Sequence, residues 1–316
     1  MRPNCMRSAP TIALLVPCYN AVRYLPLLRR QVDRLSPPFD RVLLADDGSQ
    51  DETASLAEQC GFEIIRLPSN RGPGGARNAL AEAVDEEWIH FHDVDDELSS
   101  DYVNRVAPLL DSETDLLLHF TDFIDSQTRA LHIRWTVDGT EIERDAAETL
   151  LRSPLPTMSS CIRRTQFIAV GGFNEQRRCF EDGDLHFRLA LSQSRIRLLP
   201  EVLEISLRGN DGAGADQHYC FRCRLEFLED YARDCPAHLH QAIAYEAERA
   251  AFQLLRFGNN TWAQRAVSLC HRLGQPVPTT AQPILRALRG VLPSLWVLRL
   301  QEYFRSNATK NKINSG

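Results

Sequence analysis

Along its first 125 residues the chain alternates two hydrophobic patterns. Short apolar runs at Thr11–Pro17, Arg41–Ala45, Glu63–Leu67, Glu87–His92 and Asp115–Phe120, each bounded by turn-forming residues, predict β-strands. Between them, Tyr24–Leu35, Asp51–Cys60, Gly75–Val84 and Ser99–Leu110 carry apolar residues at helical spacing. Ser49-x-x-Glu52 has the form of a capping box, and Ser99 or Ser100 is placed to cap the helix that follows. Strands alternating with helices of this length predict βαβ units and an α/β fold with a mainly parallel sheet. Ligands of such sheets bind beyond the carboxyl ends of the strands, so chemistry is expected in the loops that follow them.

From about residue 126 the alternation blurs. Glu141–Arg152 and a stretch near Asp184–Ser192 predict helices, with Gly171-Gly172-Phe173 as a tight loop before the second. After Gln217 the pattern is almost wholly helical, with Phe221, Leu225, Phe227 and Leu228 forming one buried stripe. Pro276, Pro278 and Pro283 mark an expected linker. The chain thus divides into an α/β domain over 1–215 and a helical C-terminal extension over 216–316.

Composition narrows the class without naming it. With 36 basic against 42 acidic residues the net charge is −6, and 43% hydrophobic content is that of a soluble globular protein. A collagen, a disordered chain and a disulfide-stapled mini-protein are excluded. No nucleic-acid partner is expected, since such binders carry a basic surplus against phosphate. No window reaches the roughly eighteen apolar residues of a membrane span, and the first ten residues lack a signal-like apolar stretch. The nine cysteines form no disulfide framework, so a cytoplasmic, reduced protein is expected. Cys220-x-x-Cys223 lacks a second pair and sits in a helical pattern, which weighs against zinc.

Five features fall at loop positions: Val16-Pro17-Cys18-Tyr19-Asn20, Asp46-Asp47-Gly48-Ser49, Asn70–Asn78, His92-Asp93-Val94-Asp95-Asp96, and Phe180-Glu181-Asp182-Gly183-Asp184. Asp93 and Asp95, at i and i+2, can face one pocket, and two converging carboxylates favour a hard cation such as Mg²⁺ or Mn²⁺. The alternative is that these acids cap the helix beginning near Ser99. Asp46-Asp47-Gly48-Ser49 reads as a turn, or as a carboxylate set to accept from a nucleobase or ribose. Gly72–Gly75 opens a helix where free N–H groups can meet phosphate, but it lacks a P-loop ending, and Arg77 adds a modest positive charge. Glu181-Asp182 at a helix start offers a general base, or simply a capping acidic pair. A base there needs burial or a like charge to offset the helix end, which stabilises the anion.

Taken together, VPCYN, ADDGSQDET, NRGPGGARN, HDVDD and GGFNE followed by FEDGDLHFRL resemble family 2 glycosyltransferases in order and spacing, over roughly residues 10 to 210. The resemblance implies a GT-A, Rossmann-like fold, with a nucleotide-sugar half at about 10–125 and an acceptor half at about 126–215. It implies an inverting, non-processive transferase that moves a sugar from a nucleoside-diphosphate sugar, a UDP-sugar first, in glycan, polysaccharide or glycolipid assembly. Pro17 and Tyr19 would line the nucleoside pocket and Asp47 would accept from the base. Asn70, Arg71 and Arg77 lie in the segment that approaches base and diphosphate. Asp93 and Asp95 match the DxD motif, Asp93 towards ribose and Asp95 on Mg²⁺ or Mn²⁺, and Asp182 matches the general base. Where relatives carry a metal-facing His, this chain has Asn210, with Asp211 or His218 as substitutes. The QxxRW motif of processive synthases is absent.

Between Arg286 and Gly316 six basic residues face one Glu, interleaved with Leu292, Leu295, Trp296, Leu298 and Leu300. This pattern fits a helix packed with a solvated basic face, or one resting peripherally on an anionic inner membrane face, where a lipid-linked acceptor would be natural. Two other functions compete. A nucleotidyltransferase would show a Lys-bearing Gly-rich loop after the first strand, and an inactive sugar-nucleotide scaffold would bind without turnover.

Overall fold

A computed structural model describes residues 9–208, 216–275, 277, 283–288 and 291–301. The chain divides into two compact units, residues 1–212 and 213–316.

The first unit runs β1 (Ile12–Cys18), α1 (Leu25–Val32), β2 (Arg41–Asp46), α2 (Thr53–Gln59), β3 (Glu63–Arg66), α3 (Gly72–Glu82), β4 (Trp88–Phe91), β5 (Glu97–Leu98) and α4 (Tyr102–Val106). It continues with β6 (Leu116–Asp125), β7 (Leu131–Trp135), α5 (Gly139–Arg152), β8 (Ser160–Arg163), α6 (Arg164–Ala169), α7 (Glu181–Leu191) and β9 (Ile196–Arg208). The sheet order is β3-β2-β1-β4-β8-β6-β9-β5, with β7 added to β6. The strands β3 to β4 in that order are parallel, as expected from the βαβ pattern. β8 enters antiparallel to both β4 and β6, while β6 and β9 pair in parallel.

β1 shows why the run is unbroken. Ile12, Leu14 and Val16 join one core with Leu25, Leu28 and Tyr102. Ala13 and Leu15, pointing the other way, join a second core with Leu80, Phe91 and Leu185. A strand covered on both faces needs apolar residues at every position rather than every second one.

Several local expectations are corrected. The box predicted at Ser49 does not form: α2 has no side-chain cap, and Ser49 Oγ instead accepts from Asn20 N at 2.9 Å. Neither Ser99 nor Ser100 caps α4, whose N-cap is Asp101, and Ser99 Oγ donates to that carboxylate at 2.6 Å. β5 separates Asp93–Asp96 from α4, so these acids do not cap that helix either. The helix expected near Asp184 begins three residues earlier, at Glu181.

The second unit contains α8 (Gln217–Tyr231), α9 (His240–Arg256), α10 (Asn260–Arg272) and α11 (Pro283–Ala287), with residues 294–301 also helical. Leu225, Phe227 and Leu228 of the expected stripe are buried, and alanines 244, 247, 250, 251, 263 and 266 give a close-packed interior. Pro283 opens α11 rather than lying in a linker, while Pro276 and Pro278 lie outside the described residues.

Candidate functional site

The loops that leave β1 and β2 are stitched together. Asn20, held at φ 49°, accepts from Gln50 N at 2.9 Å through its Oδ1, and Ala21 N donates to Thr53 Oγ1 at 2.7 Å. Pro17, next to last in β1, is half-buried, and Tyr19 follows the strand with 47% of its surface exposed.

Asp47 is buried and reaches the next loop, accepting from Arg71 N at 2.7 Å and Gly72 N at 2.8 Å. Burial raises its pKa above the ordinary aspartate value, against these donors and the nearby Arg178 and Arg71 charges. The approach needs glycine on both sides. Gly48 has φ +72° and a Cβ there would stand 2.9 Å from Asn70 N, while Gly72 has φ +81° and a Cβ would meet Arg178 Nη1 at 2.9 Å.

α3 then clamps the Gly171-Gly172-Phe173 loop. Asn78 Oδ1 accepts from Phe173 N at 2.8 Å, and its Nδ2 donates to Phe173 O at 2.9 Å and Glu175 Oε1 at 3.1 Å. Arg71 pairs with Glu175 at 2.6 Å, and Arg178 Nη1 donates to Asn70 Oδ1 at 3.2 Å. Segments about a hundred residues apart in sequence thus form one wall.

Arg77 joins the two acidic clusters. Its guanidinium is buried, with Nη2 2.7 Å from Asp93 Oδ1 and Nη1 3.2 Å from Glu181 Oε1. Asp95 is half-buried, and burial together with the Asp93 charge raises its pKa. Asp96 is buried, accepts from Leu207 N at 2.9 Å, and is pushed well up by burial and by Asp93 and Asp95. Asp182 lies in the first turn of α7, where its Oδ1 accepts from Gly183 N at 2.7 Å. Burial first, then the neighbouring Glu181 charge, pushes Asp182 up to about 7. Burial and the like charge thus offset the helix end, which alone would stabilise the anion.

Gly183 admits the Phe180 ring, which would lie 2.7 Å from a Cβ; Phe180 itself holds a left-handed φ of 68°. Beside these residues, Asp184 is fully buried between Arg177 at 3.2 Å and Arg188 at 2.7 Å.

The expected site residues fall into two groups. Asp47, Asn70 and Arg71 meet at the loops after β2 and β3, next to the Tyr19 loop. Arg77, Asp93 and Asp182 meet, directly or through Glu181, beyond β4 and at the start of α7. Asn210 and Asp211 lie outside the described residues. His218 belongs to the second unit, where Asn259 Nδ2 donates to its Nε2 at 2.8 Å.

A third group was not anticipated. Glu204 of β9 is fully buried, 2.8 Å from His90 Nε2 and 3.1 Å from His92 Nδ1, directly behind the Asp93–Asp95 turn. Burial opposes a charge on His92, but the Glu204 carboxylate outweighs it and holds the imidazole up at about 9. His90 inside β4 and His92 just after it, at i and i+2, were the signal in the sequence. What was missing was the pairing of segments more than 110 residues apart.

Among the described residues, no group of three His, Cys, Asp or Glu is arranged to hold a metal. Asp95, half-buried and without a salt-bridge partner among those residues, fits a hard cation that takes most of its ligands from water and a diphosphate.

Solved structures share this architecture. A mannosyltransferase from Pyrobaculum calidifontis, solved with GDP-Man and Mn²⁺, aligns at a TM-score of 0.60 over 98% of this chain and 89% of its own, at 17% identity. S. aureus TarS 1-349, solved with UDP-GlcNAc, aligns at 0.56 over 85% and 95%, also at 17% identity. The fold is GT-A, a curled, mostly parallel sheet flanked by helices. The sequence profile of glycosyl transferase family 2 matches residues 13–174, just over half of the chain, and the chain belongs to that family of enzymes.

Among curated relatives, the putative glycosyltransferase EpsH of Bacillus subtilis is 30% identical over 114 residues, 34% of this chain and 33% of its own length. A PGL/p-HBAD biosynthesis glycosyltransferase of Mycobacterium bovis is 26% identical over 187 residues, 57% of this chain and 70% of its own. The chain spans about one third of the length of the first curated relatives it matches. Among the described residues no helix is long and apolar enough to cross a membrane.

Proposed function

We propose that this enzyme is an inverting, non-processive glycosyltransferase with Asp182 as general base, taking a nucleoside-diphosphate sugar, a UDP-sugar first, and an acceptor hydroxyl. The observation that carries the reading is the state of Asp182, a half-buried carboxylate with no salt-bridge partner among the described residues, held up at about 7. A base at that value is about half ionised at neutral pH and basic enough to accept a proton in the transition state.

Asp182 removes the acceptor proton as the hydroxyl oxygen bonds to the anomeric carbon. The bond from that carbon to the diphosphate oxygen breaks on the opposite face, its electron pair leaving with the diphosphate. One displacement inverts the centre, so no second carboxylate nucleophile is required. Asp95 would hold Mg²⁺ or Mn²⁺, which neutralises charge on the leaving diphosphate when bound. Asp93 would face ribose, and Pro17 and Tyr19 the nucleoside. Each Asp47 oxygen already accepts one backbone N–H and keeps a lone pair for the base.

The relatives support acceptors in glycan or lipid-linked assembly, one being named for succinoglycan biosynthesis and another for PGL/p-HBAD biosynthesis. In this reading 1–215 is the catalytic domain and 216–316 an extension. Val291 and Trp296 are 79% and 57% exposed, and Arg299 lies over the Trp296 ring, which supports peripheral contact of 286–316 with the inner, cytoplasmic face of an anionic membrane.

The test is Asp182→Asn assayed against a panel of UDP-, GDP- and dTDP-sugars with Mn²⁺. Turnover should fall by about 10²–10⁴ while nucleotide binding is kept. Turnover that survives the change removes Asp182 from the role of base. A wild-type chain that binds nucleotide but turns over no donor with any acceptor supports the scaffold reading instead.

A further inference from the structure

We infer that Arg77 is a positioning residue that fixes the donor-side acid Asp93 and the base-side acid Glu181 in one frame, and that it is not a ligand of the donor diphosphate. This rests on the reading of Asp182 as base.

The geometry commits the side chain. Nη2 is 2.7 Å from Asp93 and Nη1 is 3.2 Å from Glu181, with the side chain only 7% exposed. Nε is buried with no partner, and the guanidinium carbon lies 5.6 Å from the centre of the Phe173 ring. Both Nη atoms are thus committed to carboxylates, and the guanidinium is almost wholly enclosed. A planar guanidinium directs two carboxylates along separate N–H vectors, which a lysine ammonium reproduces in charge but not in direction.

Its own position is fixed independently. Asp47 holds the two backbone N–H groups at the start of α3, and Asn78, the next residue, clamps Phe173. Arg77 therefore transmits a rigid register from α3 to the turn after β4 and to the first turn of α7.

The charges that face Asp182 make this functional rather than merely structural. Glu181 precedes it and repels its ionised form, while Arg77 opposes that repulsion. Asp184, the acid on the same turn, is neutralised by Arg177 and Arg188, and Asp93 lies across the guanidinium. Without Arg77, the repulsion from Glu181 is unopposed, Asp182 is harder to ionise, and the two segments lose their common tether.

The experiment uses the full chain with a UDP-sugar and Mn²⁺, and measures kcat, donor KM, the pH profile of kcat/KM, and UDP binding by calorimetry. For Arg77→Gln, kcat should fall about 100-fold through misplacement of the base. Donor KM and the UDP Kd should stay within about 3-fold, less than the loss of a charged hydrogen bond would give. The acid limb of kcat/KM should move roughly one pH unit upward. Arg77→Lys should restore the limb by its charge while recovering kcat only in part.

Should Arg77→Gln fail to fold, Glu181→Gln gives the second arm. Removing the like charge beside Asp182 should move the limb downward with UDP binding unchanged. A UDP Kd raised tenfold or more with the limb unmoved overturns the inference and makes Arg77 a phosphate ligand. A Glu181→Gln limb that stays in place overturns it as well. Failure of the base assignment shows separately, as turnover that persists in Asp182→Asn.

Discussion

The two acidic clusters, Asp93-x-Asp95-Asp96 and Glu181-Asp182-x-Asp184, have the same division of labour on different supports. In each, one acid is buried and anchors the segment: Asp96 on the backbone N–H of Leu207, Asp184 between Arg177 and Arg188. In each, a second acid takes one arm of Arg77. The third, Asp95 or Asp182, has no salt-bridge partner among the described residues, and burial raises its pKa. The supports differ. The first cluster is a turn leaning on β9, and the second is the opening of α7, whose N-terminal dipole favours anions. A run of acids is therefore not a uniform patch of negative charge. Its members separate into an anchor, a tether and a third acid without an ion pair, according to what each can reach.

The largest expected effect lies with the anchors. Asp184→Ala leaves Arg177 and Arg188 without the carboxylate between them and should cost about 3–5 kcal/mol, read from urea denaturation. Asp96→Asn keeps an oxygen for Leu207 N and removes a charge that repels Asp93 and Asp95, so its cost should stay within about 1 kcal/mol. Equal costs would erase the distinction between an ionic anchor and a hydrogen-bonded one.

Asp95 and Asp182 should part company over metal. UDP should raise the melting temperature only with Mn²⁺ or Mg²⁺ present, by the equivalent of about 2.7 kcal/mol at a hundred times Kd. Asp95→Ala should abolish that increment, and Asp182→Ala should keep it. Stabilisation by UDP that is equal in chelator would place Asp95 outside any metal site.

Much of this was visible in the sequence, for physical reasons. β1, β2 and β4 are short, largely buried strands, so each shows as an apolar run bounded by turns, while edge strand β3 shows only Ile64 and Ile65. The motif residues at their ends are local in sequence and fall together once a parallel sheet is granted. The long strand β9 was not anticipated, because Pro200, Glu201 and Glu204 interrupt its apolar pattern. Glu204 is tolerated there only because His90 and His92 from another strand receive it. The bracket made by Arg77 was equally hidden. Its spacing from Asp93 and Glu181, 16 and 104 residues, says nothing until the sheet and α7 bring them together. Ser49 was misjudged as a cap since its hydroxyl had an equally good use across the loop to Asn20.

The smallest expected effect concerns what the reactive position costs the fold. Asp182 has its native pKa raised from 3.8 to about 7, so the folded protein binds this proton more tightly than the unfolded chain does. Well below pH 3.8 both states hold the proton and the group contributes no penalty. As pH rises from about 4, the unfolded chain ionises freely while the folded one resists. The penalty grows until the native group also ionises near 7, and is constant above that. Asp182→Asn removes the charge altogether. It should therefore change stability little at pH 4 and raise it at pH 8, by on the order of 1–2 kcal/mol after allowing for the partial exposure of the side chain. Urea midpoints of both proteins at the two pH values decide the point. A gain of the same size at pH 4 would mean that packing, not charge, is responsible. No gain at pH 8 would mean that Asp182 is not strained by its surroundings. The first result would leave Asp182 a packed fixture of the fold, and the second would leave it like an ordinary exposed acid. Only a gain confined to high pH marks it as a carboxylate kept destabilised for use as a base.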